Sequence, residues 1–507
     1  MQNTLLLTLL MPTLAVPIVY LLGKKSVKAA ALLVALIAIA DIALLLTTVP
    51  VVLDSAPAAE HKYVESYYWI PILGSSFTLF VDGVSLSIAI ITLILILTAT
   101  LFSMNYMHEK KGLAEYYALL TLLFIGLVGV FITSNLMLFY FCWELMLVPA
   151  YFIIGGWGYK EPYRAAFKFF IFTHAGAVFV LLGIGAIFMV TGDLDMFQAQ
   201  TALMSAQPEL VKWILLSLTA GFAVKMAIVP VHMWLPDAHS EAPAPMSALL
   251  SGVIISAGAY AILRVSLGTV FPAVAVMAID FGNQFLHGLA VFGVMSAFFG
   301  TLIALVENDI KRIIAYSSIA HMGYVLFGLS LFPFQEIMSG TVLHPEVITG
   351  TVLHLVNHAV SKGLFFLSAG TIMKQLEIRD IREMGGLAGQ MPITAISSMT
   401  AALSIAGIPP FACFISEFLI FVGAFQTINN DNFYLLPTAL MLIATVLSLA
   451  YALRYVSHVF LGSGKLEKAK EAPFFMKLAM VVLMVLVIIL GVWPTFFIQL
   501  ISTVSFV

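Results

Sequence analysis

The chain has 507 residues, 62% hydrophobic and 10% charged, with a mean hydropathy of +1.06. Soluble domains carry roughly 25% charged residues, so a water-soluble enzyme of this length would expose most of its apolar side chains, and that class is excluded. A net charge of −3 leaves no electrostatic footprint for nucleic acid, and the two cysteines, Cys142 and Cys413, lie in apolar runs and form no disulfide framework, CxxC pair or iron–sulfur ligand set.

At about 20 apolar residues per crossing, the sequence divides into fourteen predicted spans. They run over 3–22, 29–53, 83–104, 116–133, 135–157, 166–190, 211–231, 244–268, 285–306, 311–332, 347–373, 392–425, 434–461 and 475–503. No Lys or Arg precedes Lys24, so the first span lacks the basic start of a signal peptide and is expected to be retained. The sizeable loop 54–80 carries Tyr63, Tyr67, Tyr68, Trp69 and Pro71 and reads as an interfacial aromatic segment, with a β-hairpin as one form. The stretch 193–209 reads as a surface connection with a short amphipathic helix.

Basic residues orient the spans. Loops after odd-numbered spans hold Lys24, Lys25, Lys28, Lys110, Lys111, Lys160, Arg164, Lys168, Lys311, Arg312, Lys374, Arg379, Arg382, Lys465, Lys468 and Lys470. Loops after even-numbered spans hold Lys62 and Lys212. The positive-inside rule then places both termini outside and the odd loops in the cytoplasm.

Several charges stand where a membrane resists them. Lys225, Arg264 and Lys362 fall within spans, as do Glu144 and Glu417; Asp41 lies in span two and Asp82 at an edge. Each deep charge costs about 2.5–3.5 kcal/mol to insert, so it persists with a partner, a wet cavity or a function. Nothing adjacent in sequence balances Glu144, and Lys225 on span seven is the expected countercharge. Pro230 lacks an N–H, so it frees a helical carbonyl beside Lys225, and broken helices at membrane depth line water-filled cavities. Arg264 is expected to snorkel outward or close an exit.

Span eleven aligns His354, His358 and Lys362 four residues apart on one helical face, and span ten adds His321. Span twelve reads Ala406-Gly407-Ile408-Pro409-Pro410 with Glu417 two turns later, repeating the break of span seven with the opposite charge. Spans four to eight and nine to thirteen therefore read as two copies, and an offset of five spans makes the second copy inverted, a transporter signature. The domain expectation is residues 1–112 for spans one to three, 113–270 and 283–462 for the two repeats, and 463–507 for the last span.

Other chemistries were weighed against this reading. His-x-x-x-His can ligate metal, but no HExxH motif, carboxylate cluster or third ligand lies nearby in sequence, so no metal site is expected. Bis-histidine haem ligation by His174, His321, His354 and His358 is the rival cytochrome reading.

Residues 139–158 (FYFCWELMLVPAYFIIGGWG), 221–245 (GFAVKMAIVPVHMWLPDAHSEAPAP), 309–324 (DIKRIIAYSSIAHMGY) and 403–420 (LSIAGIPPFACFISEFLI) resemble the antiporter-like membrane subunits of respiratory complex I. The resemblance is to the NuoM type, including the M subunits of archaeal F420H2 dehydrogenases and plastid-type relatives, and it spans nearly the whole chain. It implies an all-α polytopic fold with discontinuous spans seven and twelve. It also implies a Glu144–Lys225 pair and Glu417 as the terminal exit residue, where sister subunits usually carry Lys.

In this sequence Ser256 stands where bacterial members have a central lysine, and Lys362 is taken to supply that cation. The expected relay runs from intake histidines His232 and His239 through Lys225, His321, His354, His358 and Lys362 to Glu417. The expected activity is that of a translocase subunit of a proton-pumping NADH:quinone or F420H2-type dehydrogenase. The resemblance implies no cofactor on this chain, FMN or FAD and iron–sulfur clusters on partner subunits, and L- and N-type and small membrane subunits, a hydrophilic redox arm and lipids as partners. A sodium/proton antiporter of the Mrp type, or a membrane-bound hydrogenase subunit, is the alternative within the same superfamily.

Overall fold

The computed structural model describes residues 3–54, 62–332, 345–462 and 469–504; Lys465, Lys468 and part of the 54–80 loop lie outside the described residues. Helices α1 (Thr4–Lys25), α2 (Val27–Leu46) and the short α3 (Val49–Leu53) open the chain. Strands β1 (Tyr63–Ile70) and β2 (Ser75–Val81) then pair antiparallel, with Tyr67 opposite Phe77, so the aromatic loop is a hairpin and the fold is not purely helical. Asp82 ends the hairpin and starts α4 (Gly83–Tyr106) with a capping box, its side chain and that of Ser85 each accepting the other's amide.

Next come α5 (Leu113–Ile132), α6 (Leu136–Trp157), α7 (Pro162–Thr191), the short surface helix α8 (Met196–Leu203) and α9 (Pro208–Met226). The chain breaks after α9 and resumes as α10 (Leu235–Glu241). The Ala244–Met277 rod follows: α11 (Ala244–Leu249), α12 (Ile255–Ala261) and α13 (Phe271–Met277), joined by π-helical turns at Leu250–Ile254 and Ile262–Val270. Widened turns of this kind recur at functional sites. The second half holds α14 (Ile279–Val306), α15 (Ile310–Ser330), α16 (Pro345–Leu376), α17 (Pro392–Ile405), α18 (Ala412–Ile428), α19 (Leu435–Phe460), α20 (Phe474–Val492) and α21 (Thr495–Ile501). Span twelve is thus split into α17 and α18.

Eleven helices among the described residues are long and apolar enough to cross a membrane. Outside that set stand α9 and α16, which carry Lys225 and Lys362, and the two short halves α17 and α18. The Ala244–Met277 rod is wholly enclosed and α15 is 94% enclosed, whereas α1, α2, α19 and α20 turn most of their apolar surface outward. The enclosed helices carry buried charged and titratable side chains, among them Arg264, Lys311 and His321, while the outermost ones present apolar surface to their surroundings. Close backbone approach makes this possible. A Cβ on Gly293 of α14 would lie 2.8 Å from the Phe327 amide nitrogen, and one on Gly323 of α15 would lie 2.5 Å from that of Ala297, the small-residue packing that membrane helices favour.

Both chain ends lie at the hairpin face. Glu65 of β1 accepts from the amides of Leu5 and Leu6 at 3.1 and 3.0 Å, capping α1, and Leu500 of α21 abuts Gly83. The opposite face collects the basic residues. There Lys24 meets Glu115, Lys374 donates to the carbonyls of Asn105 and Tyr106, and Asp237 of α10 pairs with both Lys168 (2.7 Å) and Arg312 (3.0 Å). Arg379 holds Asp309 at 2.8 Å and Glu241 at 3.5 Å, so α10 is anchored at both of its ends.

Candidate functional site

Two breaks of matching design position the buried charges. After α9, Ala227 takes a left-handed φ of 59° and the Ile228 amide bonds back to the Ala223 carbonyl. After α17, Gly407 takes φ 65° and the Ile408 amide bonds back to Leu403. Prolines then prevent resumption, at Pro230 in one and at Pro409 and Pro410 in the other. The freed backbone groups find side-chain partners, as burial demands: Trp234 Nε1 donates to the Val224 carbonyl (2.9 Å), and the Val229 amide donates to Ser296 Oγ (3.0 Å).

Lys225, the last-turn residue of α9, is buried. Its ammonium donates to the Trp143 carbonyl at 3.0 Å and lies 4.0 Å from the centre of the Trp143 ring. The neighbouring Glu144 faces away to His174 on α7, with Nδ1 and Oε2 3.4 Å apart. The expectation of Lys225 as countercharge to Glu144 thus takes no form of a direct hydrogen bond or ion pair among the described residues. The Trp143 ring and carbonyl occupy the lysine, while the next residue, Glu144, turns its carboxylate to His174.

A longer polar line crosses the second half. Lys362 on α16 is fully buried and donates to the Ile314 carbonyl (3.2 Å) and to Ser317 Oγ, both on α15. Beyond it, Ser361 meets Ser404 at 2.8 Å beside the α17 break. His358 and His354 follow on the same face of α16, 6.4 Å apart by ring centre, and His321 of α15 lies 5.7 and 5.3 Å from them. His321 Nδ1 and His354 Nε2 share a 3.1 Å hydrogen bond, and His354 Nδ1 reaches Ser416 Oγ at 3.0 Å. Glu417 ends the line with Oε1 3.9 Å from His321 Nδ1. Thus Lys362, His358, His354, His321 and Glu417, five of the nine residues expected from sequence, converge.

Two expectations are altered here. A third donor does lie near the histidine pair: His321, His354 and Glu417 offer atoms within 4.8 Å of one another, an arrangement invisible in sequence because three helices contribute. The haem reading fares worse, since the His321 and His354 rings stack at 14° and are bonded to each other, with no slot for a macrocycle between them.

The intake histidines separate. His239 on α10 is fully buried and stacked on Phe366 of α16 at 4.5 Å, with neither ring nitrogen hydrogen-bonded among the described residues. His232 packs edge-on to Phe299 at 4.6 Å, away from the line. Sequence reasoning missed Lys311. Read as a loop cation, it is in fact fully buried and donates to the Ala242 carbonyl at the end of α10, with its ammonium 5.0 Å from the Tyr159 ring centre. Pro243 and Tyr159 line a cavity of about 510 Å³ on the basic face that also holds Lys160, Lys374 and Arg379. The only sequence signal for Lys311 is that it stands at the first position of the predicted span 311–332. Also missed were the hydroxyl and amide groups Ser317, Ser416, Asn357 and Ser404, whose polarity is too common to single out.

Arg264 does not snorkel. It pairs with Asp82 at 2.6 Å, both buried, tying the widened turn of the central rod to the cap of α4. Asp41 is fully buried on α2, and neither carboxyl oxygen has a hydrogen-bond partner among the described residues.

Comparison with known proteins places this geometry. A family model described as NADH:quinone oxidoreductase/Mrp antiporter, TM, matches residues 133–448, which hold both breaks and every residue of the polar line. NADH-quinone oxidoreductase subunit M of Pseudomonas aeruginosa is 35% identical over 462 residues, covering 87% of this chain and 84% of that one. F(420)H(2) dehydrogenase subunit M of Methanosarcina mazei is 32% identical over 455 residues, covering 87% and 86%. Among solved structures, a chain of respiratory complex I from Thermus thermophilus superposes with a TM-score of 0.82 at 22% identity, over 99% of this chain and 98% of that one. A chain of the Mrp complex from Dietzia superposes at 0.78 with 21% identity, over 99% and 97%. The chain belongs to the NADH:quinone oxidoreductase/Mrp antiporter membrane family, as an M-type antiporter-like subunit.

Proposed function

We propose that this subunit moves protons across an energy-conserving membrane within a complex I-like oxidoreductase that passes electrons to a quinone or methanophenazine. The observation that supports this reading is the buried cluster of Lys362, His358, His354, His321 and Glu417, in which His321 and His354 share a hydrogen bond and Glu417 lies 3.9 Å from His321. The redox centres, flavin and iron–sulfur clusters, belong to partner subunits, and L- and N-type subunits flank this one. Fourteen crossings arranged as two inverted five-span repeats accommodate the two matching breaks, with the basic face in the cytoplasm and both termini outside.

In this reading protons enter through the basic-face cavity to Lys311 and His239, or reach Lys225 in the first repeat. They collect on Lys362, pass His358, His321 and His354, and leave from Glu417. Work against roughly 150 mV is about 3.5 kcal/mol per charge, within what a buried carboxylate and ammonium exchange as they approach or separate. Glu144 faces His174 and Lys225 is held by Trp143, so a switch of this kind requires the Glu144 carboxylate to turn from His174 toward Lys225. The sequence relatives at 30% identity or better include M subunits of NADH-quinone and F420H2 complexes, which favours the respiratory reading over the antiporter one.

The test is Glu417→Gln in the intact complex reconstituted into vesicles. The expected result is continued quinone reduction with a lowered proton-to-electron ratio; an unchanged ratio removes Glu417 from the path.

A further inference from the structure

A second cavity, of about 430 Å³, opens on the outward side of the first break, between α9, α14 and the central rod. Its walls include Leu216, Pro230, Ile262, Phe285, Gly288 and Phe292, and no lining residue is charged. Two lining side chains are polar. Thr219 is already bonded to Ser266 Oγ at 2.9 Å, which leaves Gln284 alone, in the second turn of α14. Water therefore finds too few partners to occupy it, and left empty it would forfeit the dispersion contacts of every wall atom.

Its location determines what fills it. Leu216 of α9 and Phe292 of the membrane-length helix α14 are exposed, so the cavity opens on an apolar face of the helical body. One turn before Leu216 stands Lys212, its ammonium 5.4 Å from the ring centre of Phe281, itself a lining residue. Among the described residues Lys212 pairs with Glu209, which is largely exposed; a pair with one exposed partner is weak and readily shared with another anion. An apolar slot at membrane depth with a cation at its outer end matches one amphiphile.

We propose that this cavity is a phospholipid site: one hydrocarbon tail lies between α9 and α14 against Pro230, and the headgroup phosphate pairs with Lys212. The tail gains no hydrophobic energy over the bilayer, since lipid is as apolar as the slot. Retention comes from shape and from the phosphate. The tail also seats against the break itself, whose Ile228, Val229 and Pro230 line the cavity and whose Val229 amide is held by Ser296. The bound lipid is thus a wall of the discontinuity that positions Lys225.

Gly288 gives a clean test, because a Cβ built there meets no atom within 4 Å. Gly288→Leu fills the slot from a helix that favours leucine over glycine, and Gly288→Ala leaves most of it open. The experiment uses vesicles containing the intact complex and a phospholipid carrying a diazirine midway along one tail, with adducts located by peptide mass spectrometry. Adducts are expected at Leu216, Phe285 or Phe292, falling about tenfold in Gly288→Leu and retained in Gly288→Ala. Lys212→Glu is expected to lower phospholipid adducts but not those of a headgroup-free diazirine alkane. Adducts spread evenly over the outward face of α14 and unchanged by Gly288→Leu would overturn the proposal. So would their absence from the slot in all variants, the result if a neighbouring subunit fills it.

Discussion

His321 Nδ1 and His354 Nε2 are 3.1 Å apart, joined across two helices whose residues are 33 positions distant in sequence. Their proton arrangement follows from what surrounds them. Ser416 donates its hydroxyl to the Cys413 carbonyl at 2.9 Å and accepts from Asn357 at 3.2 Å, so toward His354 it is an acceptor. With the hydroxyl placed so, His354 donates from Nδ1 to Ser416 and accepts at Nε2 from His321; the reverse tautomer requires the Ser416 hydroxyl to turn away from Cys413. The neutral chain is polarised in one sense, and a proton passing through must invert it.

Ser416 is thus a positioning residue for His354. Ser416→Ala is expected to cut proton pumping about tenfold while quinone reduction persists, and Ser416→Thr, which keeps the hydroxyl, is expected to restore it. Equal pumping by both variants, measured as dye quenching in vesicles at matched electron flux, would show that the tautomer is not set here.

Lys225 is expected to carry a proton rather than merely a charge. Lys225→Ala and Lys225→Arg should both lose most pumping, since arginine keeps the charge but never releases its proton. Glu144→Ala should do the same by removing the movable carboxylate. Pumping retained by Lys225→Arg would reassign the lysine to electrostatic support; the proton-to-electron ratio reads the difference.

The breaks differ in one informative residue. Ala227 holds φ 59° and Gly407 holds φ 65°, a region that costs a residue with a Cβ about 1–2 kcal/mol. Gly407→Ala is expected to be destabilising by at least that, because its methyl would also stand 2.5 Å from Glu417 Oε2. Ala227→Gly is expected to be tolerated or mildly stabilising. Residual assembled complex after graded heating compares them.

Asp237 joins Lys168 of the first half to Arg312 of the second. All three groups are partly exposed, so Asp237→Asn is expected to cost only about 1 kcal/mol of stability. Its larger effect should be on pumping, through the freed α10 and His239. A stability loss with an unchanged proton-to-electron ratio would make the bridge purely structural.

Much of the helical order was legible because hydropathy alone marks apolar spans, and because Pro230 and Pro409-Pro410 stand beside buried charges at their breaks, whereas Pro12, Pro17 and Pro149 lie within continuous helices. The line His354, His358, Lys362 was legible from spacing on one helix. What sequence could not supply was lateral: that Trp143 rather than Glu144 takes Lys225, that Glu417 arrives beside His321, and that Asp82 reaches Arg264. Each depends on which helices are neighbours. Lys311 was misread because a lysine near a span end has the same one-dimensional signature whether it points to water or inward under α10.

The central claim, that protons cross through the second-half line, is tested most directly at Lys362. In vesicles holding the intact complex, Lys362→Ala is expected to lower the proton-to-electron ratio while electron transfer continues, whereas Ser256→Ala, altering a hydroxyl that only bonds back to the Gly252 carbonyl at 2.9 Å, leaves it near the parent value. A full ratio in Lys362→Ala, or a loss confined to Ser256→Ala, would contradict the account.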